Sequence, residues 1–211
     1  MNRLQAGIVA AIALAGGLFA ALTISPPGAD QPTYLSQYPQ VRALPDFVLH
    51  DANNQPFSNA QLVGHWSLIF VGYTYCPDVC PTTMAELNRI YPQLEALSDK
   101  TPVQVVFMSV DPKRDTPERL HEYIQFFNPD FIAISGEHKQ LFPLVRAMGM
   151  MYSINEGSDD NNYLVDHSAS VVLVNPQAQV VGRFKPQVAA GQVALSDSQR
   201  ILADMAIITA Q

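Results

Sequence analysis

The chain has 211 residues, with 12 Lys and Arg against 19 Asp and Glu, a formal net charge of −7 and a pI near 5.0. That balance excludes nucleic acid as a partner, because neutralising phosphates requires a basic patch and none is present. With the apolar start set aside, about 180 residues remain, enough for one well-packed core and too few for two domains.

Leu4 to Pro27 carries no charge, and Ile8 to Ile24 is apolar apart from Thr23. A helix of about 17–20 residues rises roughly 25–30 Å, close to one hydrocarbon thickness. Arg3 precedes this run and no Lys or Arg follows until Arg42, which puts the N-terminus in the cytoplasm and the bulk of the chain across the membrane. Length favours a retained anchor over a cleaved signal peptide, and the lack of a long Arg- and Ser-rich presequence favours a bacterial envelope. The expected division is a cytoplasmic N-terminus (1–6), a single transmembrane helix (7–24), an extended linker (25–42) and a folded domain (43–211).

The linker reading rests on Pro26, Pro27, Pro32 and Pro39 among scattered polar residues. Residues 47–50 read as a strand, with a turn at 51–55 and a short partner at 56–58. Residues 66–72 form an apolar, β-branched and aromatic run that suits a buried central strand. Met84, Leu87, Ile90, Tyr91, Leu94 and Leu97 follow at helical spacing. A second buried strand is predicted at 103–110. Thr116 caps a helix that has Pro117 at its first position and runs to about residue 127. A short strand at 131–134, a helix at 139–148 ending at Gly149, a hairpin of 169–175 and 179–184, and a closing helix at 196–209 complete the chain. This order predicts an α/β, thioredoxin-like fold: a central mixed sheet flanked by helices, with an N-terminal addition and an inserted strand and helix.

Both cysteines fall in Cys76-Pro-Asp-Val-Cys80-Pro81, where the first central strand gives way to its helix. A permanent disulfide closing so small a loop removes little chain entropy. Pro81 favours Cys80 as the helix N-cap, where free backbone N–H groups and the helix dipole lower a thiol pKa. Two thiolates on a rigid turn either close a reversible disulfide or bind a soft metal. His50, His65, His121 and His138 sit at a strand end, in a loop and on polar helix faces, and read as incidental. His167 lies directly before the strand at 169–175, in the loop that faces the cysteine turn in this fold. No proline stands between Asn155 and Asn175, so the cis-proline of general thiol oxidoreductases is missing. An imidazole beside two thiolates makes an S₂N set suited to copper and possible for zinc.

Phe70-Val-Gly-Tyr-Thr-Tyr-Cys-Pro-Asp-Val-Cys-Pro81, Ser109-Val-Asp-Pro-Lys-Arg-Asp-Thr-Pro117 and Tyr163-Leu-Val-Asp-His-Ser168 together resemble the Sco/SenC family of copper-binding proteins involved in assembling cytochrome c oxidase. The resemblance runs from about Ala43 to the C-terminus. It implies that Cys76, Cys80 and His167 ligate one copper ion per domain, as Cu(I) or Cu(II), and that Cys76 and Cys80 form a redox-active pair. It also implies a metallochaperone rather than an enzyme, serving the CuA centre of an oxidase subunit, with thiol–disulfide oxidoreduction as the alternative. Expected partners are that subunit, other periplasmic copper chaperones or thiol reductases, and the bacterial inner membrane, for a single-pass monomer with its C-terminal domain in the periplasm. Asp78 and Asp166 are candidates to orient His167. Asp111 to Asp115 reads either as a shaper of the site or as a buried Arg–Asp turn. Met148, Met150 and Met151 read as core fillers before copper donors. The polar run 156–162 is expected to let His167 swing toward the metal.

Overall fold

The structure, a computed structural model, describes residues 2, 5, 7, 11–17, 31–97, 101–154, 163–188, 191 and 193–210. It divides into an N-terminal unit, Met1–Gln31 with Gln211, and a folded unit, Pro32–Ala210. Of the expected membrane segment 7–24, Gly7 and residues 11–17 are described, and they are helical; the rest lies outside the described residues. Among the described residues no helix is long and apolar enough to cross a membrane.

The folded unit is built on β4 (Trp66–Gly72) and β5 (Val103–Ser109), which pair in parallel. Their continuous apolar runs suit strands covered on both faces: every residue of β5 is buried, and every residue of β4 except half-buried Trp66. Fully burying a side chain such as Phe70 stabilises by about 1.5–3 kcal/mol. β6 (Ile132–Ser135) extends the parallel edge, followed by the antiparallel pair β2 (Val48–Asp51) and β3 (Pro56–Ser58). On the other side of β4 lie antiparallel β9 (Val171–Val174), β10 (Gln179–Phe184) and β1 (Leu35–Ala43), giving the order β1-β10-β9-β4-β5-β6-β2-β3. The flanking helices are α1 (Val79–Ala96), α2 (Pro117–Phe127), α3 (His138–Ala147) and α4 (Ser198–Thr209). A separate two-stranded sheet joins β7 (Tyr152–Ile154) to β8 (Val165–His167).

The expected central strands, the hairpin and the Thr116–Pro117 helix start are all present; Thr116 Oγ1 accepts from the Arg119 N–H. The expected linker 25–42 needs correction, because most of its second half is β1, an edge strand of the main sheet. Only Leu35 of this strand is buried, so its apolar signal is faint. It is held instead by backbone pairing with β10 and by the buried carboxylate of Asp204 on α4, which accepts the Thr33, Tyr34 and Leu35 N–H groups at 2.9, 2.7 and 2.6 Å. Pro39 falls where the register shifts between Gln37 and Arg42, a position an edge strand tolerates. Opposite that strand a Cβ on Gly182 would meet the Ser36 carbonyl at 2.5 Å. The folded unit therefore begins near Pro32 rather than at residue 43.

Candidate metal centre

β4 ends at Gly72, and the chain turns through Tyr73–Asp78 into α1. A Cβ on Gly72 would stand 2.6 Å from the Cys80 sulfur and 3.0 Å from the Phe107 ring, so the bare glycine makes room for the thiol. The helix N-cap is Asp78, with Cys80 second and Pro81 third in the helix, which corrects the expectation that Cys80 caps it. Proline is tolerated throughout the first turn, where N–H groups have no intrahelical acceptor, so Pro81 marks a helix start without fixing its first residue.

Cys80 is fully buried and Cys76 half-buried. His167, at the end of β8, points its Nε2 to within 3.3 Å of the Cys80 sulfur. Its ring meets Phe70 and Tyr73 edge-on, each at 5.9 Å between centroids. One donor atom each from Cys76, Cys80 and His167 lies within 4.8 Å of the others. A d¹⁰ ion bonds thiolate sulfur at about 2.3 Å and imidazole nitrogen at about 2.0–2.1 Å, so a small side-chain adjustment brings all three onto one ion. Two soft sulfurs and one imidazole suit copper.

The two thiols are electrostatically unequal. A hydrogen bond from the Cys80 thiol holds Cys76 down to about 3, against the opposing effect of burial; His167 and the backbone amides of Asp78 and Cys80 lower it further. Burial pushes Cys80 far above the usual thiol range, and the negative charge on Cys76 adds to this. The lowered thiol is thus Cys76, outside the helix, and not Cys80. A charge at Cys76 faces the free N–H groups, whereas Cys80 packs into the core.

Asp78 and Asp166 are both exposed. Asp78 makes no side-chain cap. Asp166 alternates with Val165 and His167 along β8 and so projects from the opposite face; His167 Nδ1 lies 3.4 Å from the Ser168 carbonyl. Met148 and Met150 are buried core residues, while Met151 is 71% exposed and lines a cleft of about 440 Å³ beside His167. Of the incidental histidines, His138 Nδ1 lies 2.8 Å from the Tyr152 hydroxyl and His65 Nδ1 3.2 Å from the Val63 carbonyl. The run 156–162 lies outside the described residues.

Beneath the cysteine turn lies a buried network. Asp115 accepts the Thr74 N–H at 2.8 Å, the Thr74 hydroxyl at 2.7 Å and the Ser109 hydroxyl at 2.5 Å. Burial raises the Asp115 carboxyl, and the hydrogen bonds from Ser109 and Thr74 oppose that. Asp111, with no exposed surface, pairs with Arg114 Nε at 2.5 Å. Of the two readings of Asp111 to Asp115, the buried Arg–Asp turn is thus present. Gly72 and Thr74 had no role legible in the sequence beyond membership in the motif Phe70 to Pro81.

The sequence profile of the SCO1/SenC family matches residues 27–203. This chain belongs to the SCO1/SenC family. A SCO2-like protein of Rickettsia prowazekii is 34% identical over 180 residues, 84% of this chain and 87% of that protein. ScoI of Arabidopsis thaliana with copper bound aligns at 27% identity with a TM-score of 0.66, covering 80% of this chain and 99% of that one. Apo Sco1 of Thermus thermophilus aligns at 31% identity and TM-score 0.71, over 86% and 99%. The mixed sheet with flanking helices is therefore the thioredoxin-like fold of Sco proteins.

Proposed function

We propose that this SCO1/SenC protein is a copper metallochaperone that binds one ion through Cys76, Cys80 and His167 and hands it by ligand exchange to the CuA-bearing subunit of cytochrome c oxidase. The observation that carries this is the convergence of two sulfurs and an imidazole from separate segments within 4.8 Å. Copper bound to Arabidopsis ScoI supports it. The thiolates favour Cu(I), and the imidazole adds a donor acceptable to Cu(II). Asp78 and Asp166, exposed on the two segments that carry the donors, are assigned to the rim of the site. The uncharged run from Leu4 to Pro27 behind Arg3 supports a single-pass anchor in a bacterial inner membrane, with the domain in the periplasm as a monomer. Other periplasmic copper chaperones or thiol reductases fit as partners.

A second reading, thiol–disulfide oxidoreduction that keeps oxidase cysteines reduced, is favoured by the inequality of the thiols. Cys76 is a half-exposed thiolate ready to attack, and Cys80 is a buried thiol able to resolve a mixed disulfide. Anaerobic Cu(I) titration of the reduced chain separates the readings. One tight equivalent, lost in Cys76→Ser and Cys80→Ser and weakened in His167→Ala, supports the chaperone. Weak uptake indifferent to His167, with reduction of a disulfide substrate intact in His167→Ala, supports the oxidoreductase.

A further inference from the structure

The proposed site joins two parts of the chain that meet only by folding. Cys76 and Cys80 follow directly from β4, in the middle of the main sheet. His167 sits on β8, whose strand partner among the described residues is the three-residue β7. One short turn, Asp111–Asp115, touches both parts. It is closed by the Arg114 and Asp115 N–H groups donating to the Asp111 carbonyl at 3.2 and 2.9 Å. Its Asp115 carboxylate holds Thr74, two residues before Cys76. Its Asp111 carboxylate accepts the hydroxyl of Tyr163, four residues before His167, at 2.5 Å. Arg114 completes the clamp: its guanidinium lies 3.6 Å from the Tyr163 ring centroid while its Nε donates to Asp111.

We propose that the Tyr163–Asp111 hydrogen bond, clamped by Arg114, is a latch that sets where His167 stands relative to Cys76 and Cys80, making Tyr163 a positioning residue for metal binding. The inference rests on the copper reading above. Its chemistry is one-directional. Asp111 is ion-paired and fully buried, so it is an acceptor, and Tyr163, only 9% exposed, is the donor. A hydrogen bond to a charged group is among the stronger ones, and leaving a buried carboxylate short of a donor is costly. Rigid placement of a donor atom matters because a ligand that must be ordered at the moment of binding contributes less to affinity. The cysteine turn needs no such device, since β4 and α1 hold it on both sides. β8 is a three-residue strand outside the main sheet, and the Tyr163–Asp111 bond ties the residues just before it to the turn that follows β5.

Tyr163→Phe removes the hydroxyl and keeps the ring over Arg114. Hydrogen exchange on the reduced, copper-free full chain in detergent is the first measurement. The amides of Val165–His167 should exchange about tenfold faster in Tyr163→Phe, while those of β5 stay unchanged. Equal rates at Val165–His167, or a uniform rise throughout the sheet, overturn the latch. Cu(II) titration with electron paramagnetic resonance then compares wild type, Tyr163→Phe, His167→Ala and the double variant. Tyr163→Phe should weaken binding about tenfold alone and by less than about twofold in the His167→Ala background, since two residues acting through one donor are non-additive. Equal losses in both backgrounds overturn the proposal. Asp111→Asn, which keeps an acceptor oxygen but loses the ion pair with Arg114, should fall on the same side of that cycle. If wild type takes up no copper, the binding reading fails while the exchange result still decides the latch.

Discussion

The two halves of the metal site are built with different stiffness. The cysteine half lies between β4, buried along all but its first residue, and the first turn of an 18-residue helix, and its turn is held from below by two hydrogen bonds from Thr74 to Asp115. The histidine half is the last residue of a three-residue strand in a two-stranded sheet, steadied by ring contacts to Phe70 and Tyr73. An isolated hairpin of that size is marginal in water. On the proposed copper reading, the sulfurs would form a fixed platform and the imidazole the adjustable third donor, the one to yield on ligand exchange.

The largest expected effect breaks the platform chemically. Cys76→Ser or Cys80→Ser should each cost on the order of a thousandfold in Cu(I) affinity, about 4 kcal/mol, measured by competition with a Cu(I) chelator. His167→Ala should cost on the order of tenfold, because two thiolates alone still hold Cu(I). Equal losses at all three positions would show that the imidazole is no more dispensable than the sulfurs.

Next comes the platform's support. Asp115→Ala strands the Thr74 N–H, the Thr74 hydroxyl and the Ser109 hydroxyl in the interior, so chemical denaturation should show a loss of roughly 3 kcal/mol. The exposed Asp166→Ala should change stability by less than about 0.5 kcal/mol. A smaller effect is expected at Gly72→Ala. The added methyl has to displace the Cys80 sulfur and the Phe107 ring, and strain of that kind costs about 1–3 kcal/mol. The same variant should alkylate Cys80 faster, because the sulfur can no longer sit in its pocket; unchanged protection of Cys80 would place the strain elsewhere.

Legibility in the sequence followed the same division. The stiff half was readable because its signals are local: the apolar runs of β4 and β5, the Thr116–Pro117 cap, and cysteines four apart before a proline. The position of Cys80 within the helix was not, since proline is tolerated at each of the first positions and only packing chose Asp78 as the cap. β1 escaped because an edge strand with one buried residue has almost no apolar pattern, and its anchor, Asp204, lies 169 residues from Leu35. β7 and β8 are too short for period-two alternation to register, so His167 was placed by its motif and not by its strand. The Asp111–Tyr163 contact joins residues 52 apart, and no local rule announces it.

The gentlest test leaves the chain intact and changes only pH. In the reduced, copper-free protein Cys76 is held down to about 3, chiefly by the hydrogen bond from Cys80, whereas a free thiol titrates near 8.5. Lowered in the folded state, Cys76 contributes stability that is fully present above the free-thiol range and is lost as pH falls through the folded value near 3. Over that window the unfolded chain binds the extra proton, so stability rises with pH. Cys80, raised by burial, adds the opposite slope above the free-thiol range, where the unfolded chain gives up a proton that the folded chain keeps. Alkylation followed by peptide mass spectrometry reads both at once. At pH 5 to 6 iodoacetamide should modify Cys76 at a rate nearly independent of pH and leave Cys80 untouched. Cys80→Ala, which removes the donor, should restore an ordinary rise of Cys76 reactivity with pH if the thiol hydrogen bond is the main cause. If Cys76 stays reactive at pH 5 in that variant, the backbone amides at the start of α1 and His167 carry the charge instead, and the platform's electrostatics would belong to the helix more than to the cysteine pair.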